Sequence, residues 1–461
     1  MSLFLGIDLG TSYFKVGLFD ERGDLKGLAR MRVEPEFPLP GRVEITVEKF
    51  WRLLRDGVGE ALARARATAR DIAAISYSSQ ANTFVLLDAN DAPLTPLIVW
   101  TDRRAAPLDP AIAAFASSPA FAATVGFGGL APEFAAVKFS WFQREHPELW
   151  DRAERVMTLS DYLTYSLTGE RVGDSGNAAL LGLFDLRQAR WWSSALVFFG
   201  LDETRLSTPL APGSSGGRTT RMGGARLNLP ADIPFAIGGL DHYLAAIGAG
   251  IGGMADVSIS TGTVLAALAL TDQITPRPGS YFGPHGAGVP YYCLRFDPLG
   301  AGQLEEYQRK HLPGHAIEDI LKWAQAGEAG TLLEIDPKLT KPALADERAV
   351  RAVLEKIAFQ LLQLVREVNG GQPVARVAAT GGGARSDYWL QIKADVFGVP
   401  VVATPPESAC RGAAILAAVQ AGVYQELKEA TGAMVRQTRL FAPDQKRTAL
   451  YRERLASSPG T

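Results

Sequence analysis

The amino-acid sequence predicts an α/β protein of two domains built on one repeated plan. Three observations carry that expectation. The chain has 461 residues, beyond the size at which a single core usually keeps growing. It opens on two strand-like runs joined by a Gly-Thr-Ser turn, and a second strand, Ser/Thr/Gly turn and strand recurs roughly 250 residues later. Further on, a strand, a three-glycine turn and a helix start follow one another directly.

The first element is the segment MSLFLGIDLGTSYFKVGLFD. Leu3, Phe4, Leu5 and Ile7 form an apolar run ending at Asp8, and Phe14, Val16 and Leu18 alternate with Lys15 and Gly17. That is the pattern of a β-hairpin closed by a tight turn. Gly10 lets backbone N–H groups approach a ligand, Thr11 and Ser12 add hydroxyls, and Lys15 adds a cation. Asp8 adds a carboxylate suited to a hydrated Mg²⁺. Together these are the parts of a triphosphate cradle, although a hairpin that merely opens a β-rich domain shares the pattern.

Residues 48–70 read as an amphipathic helix. Ile72–Ser76 and Thr83–Asp88 read as strands on either side of the polar run Ser78-Ser79-Gln80-Ala81-Asn82. Residues 130–200 are mostly helical in pattern, punctuated by Pro132 and Pro147. The Gly/Pro-rich stretch from Pro209 to Pro234 reads as a connection between domains. Asp256–Ala266 repeats the opening hairpin. Val374–Thr380 reads as a strand, Gly381-Gly382-Gly383-Ala384 as a turn, and the run from Ser386 as a helix, a geometry that favours an anion or a flat ligand edge. GxGxxG and GxxxxGK[ST] are both absent, which disfavours a dinucleotide Rossmann site and a P-loop.

Composition narrows the class. Hydrophobic residues make up 47% and charged residues 21% of the chain, as in ordinary globular proteins. The net charge of −2 makes no case for nucleic acid or an anionic membrane. Gly and charged residues interrupt every candidate membrane span. Two cysteines, Cys293 and Cys410, fit a reducing compartment and suggest no zinc site. A cytoplasmic enzyme or ATP-binding protein is the expectation.

Taken in order, these segments resemble the FGGY family of carbohydrate kinases, over nearly the whole chain. GIDLGTSYFKVGLFD is similar to its first phosphate motif, IVWTDRR (Ile98–Arg104) to its sugar-side segment, and SDYLTYSLTGE (Ser160–Glu170) to a helix of its N-terminal domain. GGLDHYLAAIGAG (Gly238–Gly250) resembles the segment carrying the catalytic aspartate, and ISTGT the second phosphate motif. TGGGARSDYWLQIKADVFGVPV resembles the adenosine-site signature, and ESACRGAAILAAVQAG (Glu407–Gly422) the helix that follows. The resemblance implies two actin/hexokinase-like (ribonuclease H-like) domains facing across a catalytic cleft. The expected bounds are 1–237 for the sugar-binding side, 238–440 for the nucleotide-binding side, and 441–461 for a C-terminal helix or tail.

The resemblance also implies roles. Asp241 follows an apolar strand and Gly238-Gly239 and precedes a helix-like run. On the residues alone it is a helix cap or a base, and the family pattern makes it the catalytic base, with a share in metal binding beside Asp8. Thr11, Ser12 and Lys15 would meet the phosphates of ATP from one domain, Gly262 and Thr263 from the other. Gly381, Gly382, Gly383, Ala384 and Ser386 would form the adenosine side, with Gly300 in a further nucleotide-contacting turn. On the sugar side stand Gln80, Ala81, Asn82, Trp100, Asp102, Asp241 and His242. Asp102 and Arg103 read equally as hydroxyl ligands or as members of a structural ion pair. Gln80 matches the family, whereas Ala81 and Asn82 match neither its xylulokinases nor its glycerol kinases, and His242 stands where many members have Gln. The implied activity is transfer of the γ-phosphate of ATP, with Mg²⁺, to a hydroxyl of a small sugar or polyol. A ketose such as xylulose is favoured. Another polyol or a tetrose, or a non-catalytic ATP-binding protein of the actin/chaperone fold, are the alternatives. The expected partner is the small substrate, with no nucleic acid and no membrane, and a homodimer is the assembly envisaged.

Overall fold

The computed structural model describes residues 2–262, 264–298, 300, 302–330 and 347–457. These form two compact units. The first comprises Met1–Gly248, Thr271–Cys293 and Glu407–Val435, and the second Ala249–Leu270, Leu294–Pro406 and Arg436–Thr461.

The central sheet of the first unit is organised around Leu3–Leu9, whose seven residues are all buried. This strand pairs antiparallel with Tyr13–Phe19, which pairs in turn with Leu25–Arg32. On its other side it pairs parallel with Ile72–Ser79. The short strand Gly239–Leu240 lies parallel to the end of Ile72–Ser79. The helix Val47–Ala65 covers one face. Thr46 caps its start by accepting from Lys49 N, and Phe50, Leu54, Val58 and Ala61 form its buried stripe. A smaller four-stranded sheet contains Leu97–Ile98, which leads into Trp100.

The second unit repeats the plan. Val257–Thr261 pairs antiparallel with Leu265–Thr271 and parallel with Val377–Thr380, which is parallel to Val401–Ala403. The predicted strand, glycine turn and helix are present as Val377–Thr380, a single turn of tight helix at Gly382–Ala384, and the helix Asp387–Phe397.

Two expectations about boundaries differ from the structure. The stretch Pro209–Pro234 is not a connection between units. It holds the strand Ser215–Arg218, the helix Arg221–Arg226 and the start of the strand Pro234–Ala236, all inside the first unit. The chain also returns to the first unit at Glu407, within the span expected to be a C-terminal domain. The cause is the helix Ser408–Gln420, which packs so closely that side chains are excluded at its contacts. A Cβ on Gly6 would fall 2.0 Å from Cys410 O, one on Gly412 2.0 Å from Leu244 O, and one on Gly248 1.9 Å from Ser408 O. Linear order does not show this return.

Candidate active site

Strand register assembles the first group of residues. Asp8 lies opposite Lys15 on the antiparallel side and opposite Ser78 on the parallel side. Gly239 is the partner of Ser78 and Leu240 of Ser79, so the next residue, Asp241, leaves the sheet beside them as the first residue of the helix Asp241–Ile247. These are the carboxyl ends of parallel strands, where open α/β sheets place their ligands. Gly238 permits the approach, since a Cβ there would fall 1.8 Å from Tyr77 O.

Asp8 is 5% exposed. Its Oδ1 accepts from Ser78 Oγ at 3.0 Å and its Oδ2 from Lys15 Nζ at 3.1 Å. Burial raises the pKa of its carboxyl above the ordinary range, the Lys15 ammonium opposes that, and the Asp241 carboxylate adds to it. Lys15 is shared with Glu407, whose Oε2 is 3.5 Å away. Burial alone would lower the Lys15 pKa, but the Asp8 and Glu407 carboxylates outweigh it and hold the ammonium charged. Glu407 also pairs with Arg30 and stands in the left-handed region at φ +62°, immediately before its helix. Burial would raise the Glu407 carboxyl pKa, and the two cations bring it below the usual value. The sequence reading gave Ser78 and Glu407 no role. The polar end of the strand Ile72–Ser79 was the available signal for Ser78, and Glu407 had none.

The residues expected on the acceptor side connect to the first turn through one hydroxyl. Thr11 Oγ1 donates to Gln80 Oε1 at 3.1 Å and accepts from Trp100 Nε1 at 2.8 Å. Gln80 is 4% exposed, and its Nε2 has no partner among the described residues. A buried amide left in that state is a donor prepared for a ligand acceptor. Asn82 has φ +61°, and its Oδ1 accepts from Ala135 N at 2.9 Å, so its side chain holds the start of the helix Ala135–Glu145. Ala81 is half-buried beside it.

Asp102 is fully buried. Its oxygens accept from Val43 N, Arg104 N, Arg104 Nε and Arg104 Nη2, at 2.7 to 3.0 Å. Of the two readings open for this charge, the geometry is that of the ion pair, with Arg104 rather than Arg103 as partner. Arg103 instead pairs with Glu133 at 3.0 Å. Lys138, which sequence reasoning missed, is fully buried and donates to Val99 O and Trp100 O, fixing the backbone that carries the Trp100 ring. Burial lowers its pKa to about 7. Asp241 Oδ1 accepts from the His242 backbone N–H at 2.7 Å, and His242 is half-buried.

The second unit carries a cavity of about 400 Å³, lined by Thr261, Gly262, Gly382, Gly383, Ser386 and Trp389 among others. The glycine turn is obligatory. Gly381 has φ +79°, and a Cβ on Gly383 would fall 2.7 Å from Thr261 Cβ. Gly382, by contrast, has only Thr261 O, at 3.9 Å, near its would-be Cβ. Ser386 caps the helix by accepting from Trp389 N at 3.2 Å. Gly300 is buried against Leu265, 2.1 Å from a would-be Cβ, so packing explains that glycine, and it does not line the cavity. Thr263 lies outside the described residues. The opposite wall comes from Leu304, Glu305, Ile317, Leu321, Lys322 and Gln325, none of which has a glycine signature to announce it.

Among the described residues no group of three or more His, Cys, Asp or Glu side chains is placed to hold a metal ion, and no helix is long and apolar enough to cross a membrane.

Comparisons with known proteins bear on the family and the fold. Residues 3–248 match the N-terminal domain of the FGGY family of carbohydrate kinases, and residues 324–421 match its C-terminal domain. A xylulose kinase of Staphylococcus epidermidis is 25% identical, over 97% of this chain and 94% of its own length. A glycerol kinase of Dechloromonas aromatica is 29% identical, over 97% and 95%. The fold is also that of a ligand-bound xylulose kinase from Lactobacillus acidophilus, with a TM-score of 0.87 at 22% identity, covering 99% of this chain and 96% of that one. With both family domains present in order, the chain belongs to the FGGY family of carbohydrate kinases and is an ATP-dependent phosphotransferase acting on a sugar or polyol.

Proposed function

We propose that the acceptor is a small ketose of the xylulose type and that Asp241 takes the proton from its reacting hydroxyl. The observation that carries this reading is the placement of Asp241 one residue beyond a strand in register with Asp8 and Ser78. Phosphoryl transfer to a hydroxyl needs a positioned base and fixed countercharge, and little else from the protein. Asp241 is half-buried, within electrostatic reach of Asp8, and begins its own helix, which favours a carboxylate. The Gln80 amide and the Trp100 ring, joined through Thr11, offer a hydrogen-bond donor and an apolar face suited to a short carbon chain.

Mg²⁺ fits the residues present. Two carboxylates that repel each other, in a site where no group of three or more ligating side chains is gathered among the described residues, suit an ion that takes its remaining ligands from water and substrate phosphates. Asp8 and Asp241 would hold it, and it would supply charge neutralisation at the phosphates. Thr11, Ser12 and Lys15 are the phosphate-side groups of the first unit. Thr261, Gly262 and the Gly381–Gly383 turn seat the nucleotide in the second.

A different polyol is the second reading, supported by the engagement of Asn82 with the helix Ala135–Glu145. The segment Gln80–Asn82 then offers one side-chain donor unpartnered among the described residues, Gln80 Nε2, to discriminate substrates. A coupled ADP-release screen of pentuloses, hexuloses, tetroses and linear polyols separates the two. The ketose reading expects the highest kcat/KM with a pentulose, and a preference for a linear polyol would overturn it.

A further inference from the structure

The cavity of the second unit has a buried cation behind it that the reading above does not use. Lys393, on the helix Asp387–Phe397, is fully buried. Its Nζ donates to Thr261 Oγ1 at 2.9 Å and lies 4.5 Å from the centre of the Trp389 ring. Both Thr261 and Trp389 line the cavity, whereas Lys393 does not reach it. Among the described residues no carboxylate lies within ion-pairing distance of this lysine. The carboxylates on the helices around it pair with other cations, and Glu305, Glu318, Lys322 and Arg385 line the cavity itself. On its own helix, Asp395 pairs with Arg447 of the C-terminal helix at 2.6 Å, and Asp387 pairs with Arg439. On the helix Glu347–Val368, Glu355 pairs with Arg351 at 2.8 Å and accepts from Tyr451 Oη. A lysine is seldom placed fully inside a protein without a counter-charge, because burial disfavours the ammonium.

We propose that Lys393 is a positioning residue for the nucleotide's polyphosphate. Its ammonium acts through the Thr261 hydroxyl and supplies the charge against which the phosphates are seated. This rests on the reading of the cavity as the nucleotide site. The chemistry follows from the donor inventory. An ammonium has three donors and no acceptor, so when Lys393 is charged Thr261 Oγ1 must accept from it, and the Thr261 O–H is released to donate to a phosphate oxygen. When Lys393 is neutral its nitrogen lone pair can accept from Thr261, and the Thr261 O–H is then no longer reserved for the ligand. Burial brings the lysine to about 7 in the free protein, close to the point where the two arrangements balance. A polyphosphate raises that value by adding negative charge nearby. Its binding therefore draws up to one proton from solvent onto Nζ, with no bond made or broken apart from that N–H.

Calorimetry on the full-length wild-type chain tests this at pH 8, where the phosphates of the probe are ionised. The probes are a non-hydrolysable ATP analogue and adenosine, each titrated in two buffers of different ionisation enthalpy. The analogue is expected to bind with proton uptake, to weaken by up to about tenfold per pH unit above the lysine's pKa, and adenosine is expected to do neither. Lys393→Met should abolish the uptake and weaken the analogue by roughly tenfold or more, leaving adenosine within about twofold. Lys393→Arg should keep the affinity and remove the pH dependence. Analogue binding by the wild type without proton uptake overturns the proposal and leaves the nucleotide site standing. Failure of the wild type to bind either probe overturns the nucleotide reading, and the proposal with it.

Discussion

Lys15 and Asp241 show how much of this site is decided one side chain at a time. Lys15 is kept charged by two carboxylates from distant parts of the chain, Asp8 and Glu407. Asp241 takes its place from a two-residue strand. Asp241→Asn preserves the size and most of the hydrogen bonding of the side chain but removes the proposed base. The variant is expected to bind nucleotide normally while kcat falls by roughly 10²–10⁴-fold, the usual contribution of a general base. Steady-state kinetics with the true acceptor checks this, and turnover within tenfold of wild type would remove Asp241 from the role. Gly382→Val tests the nucleotide side. Its Cβ meets no protein atom closer than 3.9 Å, so the fold should accept the side chain and a bound nucleotide should not. The KM for ATP should rise more than kcat falls, and an unchanged KM in the folded variant would show that the nucleotide lies elsewhere. At this scale the sequence was informative where a residue type has few uses. The Gly381–Gly383 turn and the Asp8, Thr11, Lys15 hairpin were visible as such. Lys138 and Lys393 were not, because a lysine in a helical pattern looks solvent-exposed until the packing around it is known.

At the scale of elements, the helix Ser408–Gln420 does more than its modest sequence suggests. Close contacts at Gly6, Gly248 and Gly412 let it lie against the strand Leu3–Leu9 and the helix Asp241–Ile247, and thereby deliver Glu407 to Lys15. Gly412→Val would place a side chain 2.0 Å from Leu244 O, a backbone atom that cannot step aside. Overpacking of that kind costs about 3 kcal/mol or more, and the midpoint of urea denaturation should fall accordingly. Gly432→Ala, in the helix Leu427–Met434 with nothing within 4 Å of its Cβ, is the control, with an expected gain of up to about 1 kcal/mol. Equal midpoints for the two variants would contradict the packing account. The hairpins and the glycine-turn helix were legible because turn chemistry and strand alternation are local. The return of Glu407–Val435 to the first unit was not, because it depends on backbone contacts between segments roughly 160 to 400 residues apart.

For the whole molecule, the recurrence of the Gly/Ser/Thr hairpin foretold an antiparallel hairpin in each unit, whereas the parallel pairing on the other side of each first strand was not foretold. What local patterns could not supply is the acceptor, since the proposed acceptor side rests mainly on Gln80 and Trp100, and Asn82 is committed to a helix start. The central claim is nonetheless a claim about one reaction, in which the phosphoryl group leaving ATP ends on a carbohydrate hydroxyl. Phosphorus NMR of the wild-type chain with ATP, Mg²⁺ and the best acceptor from the substrate screen tests it directly. The account predicts one sugar phosphate formed for each ADP, with ADP release falling close to background when the acceptor is omitted. ADP and inorganic phosphate appearing at the same rate with and without acceptor would contradict it.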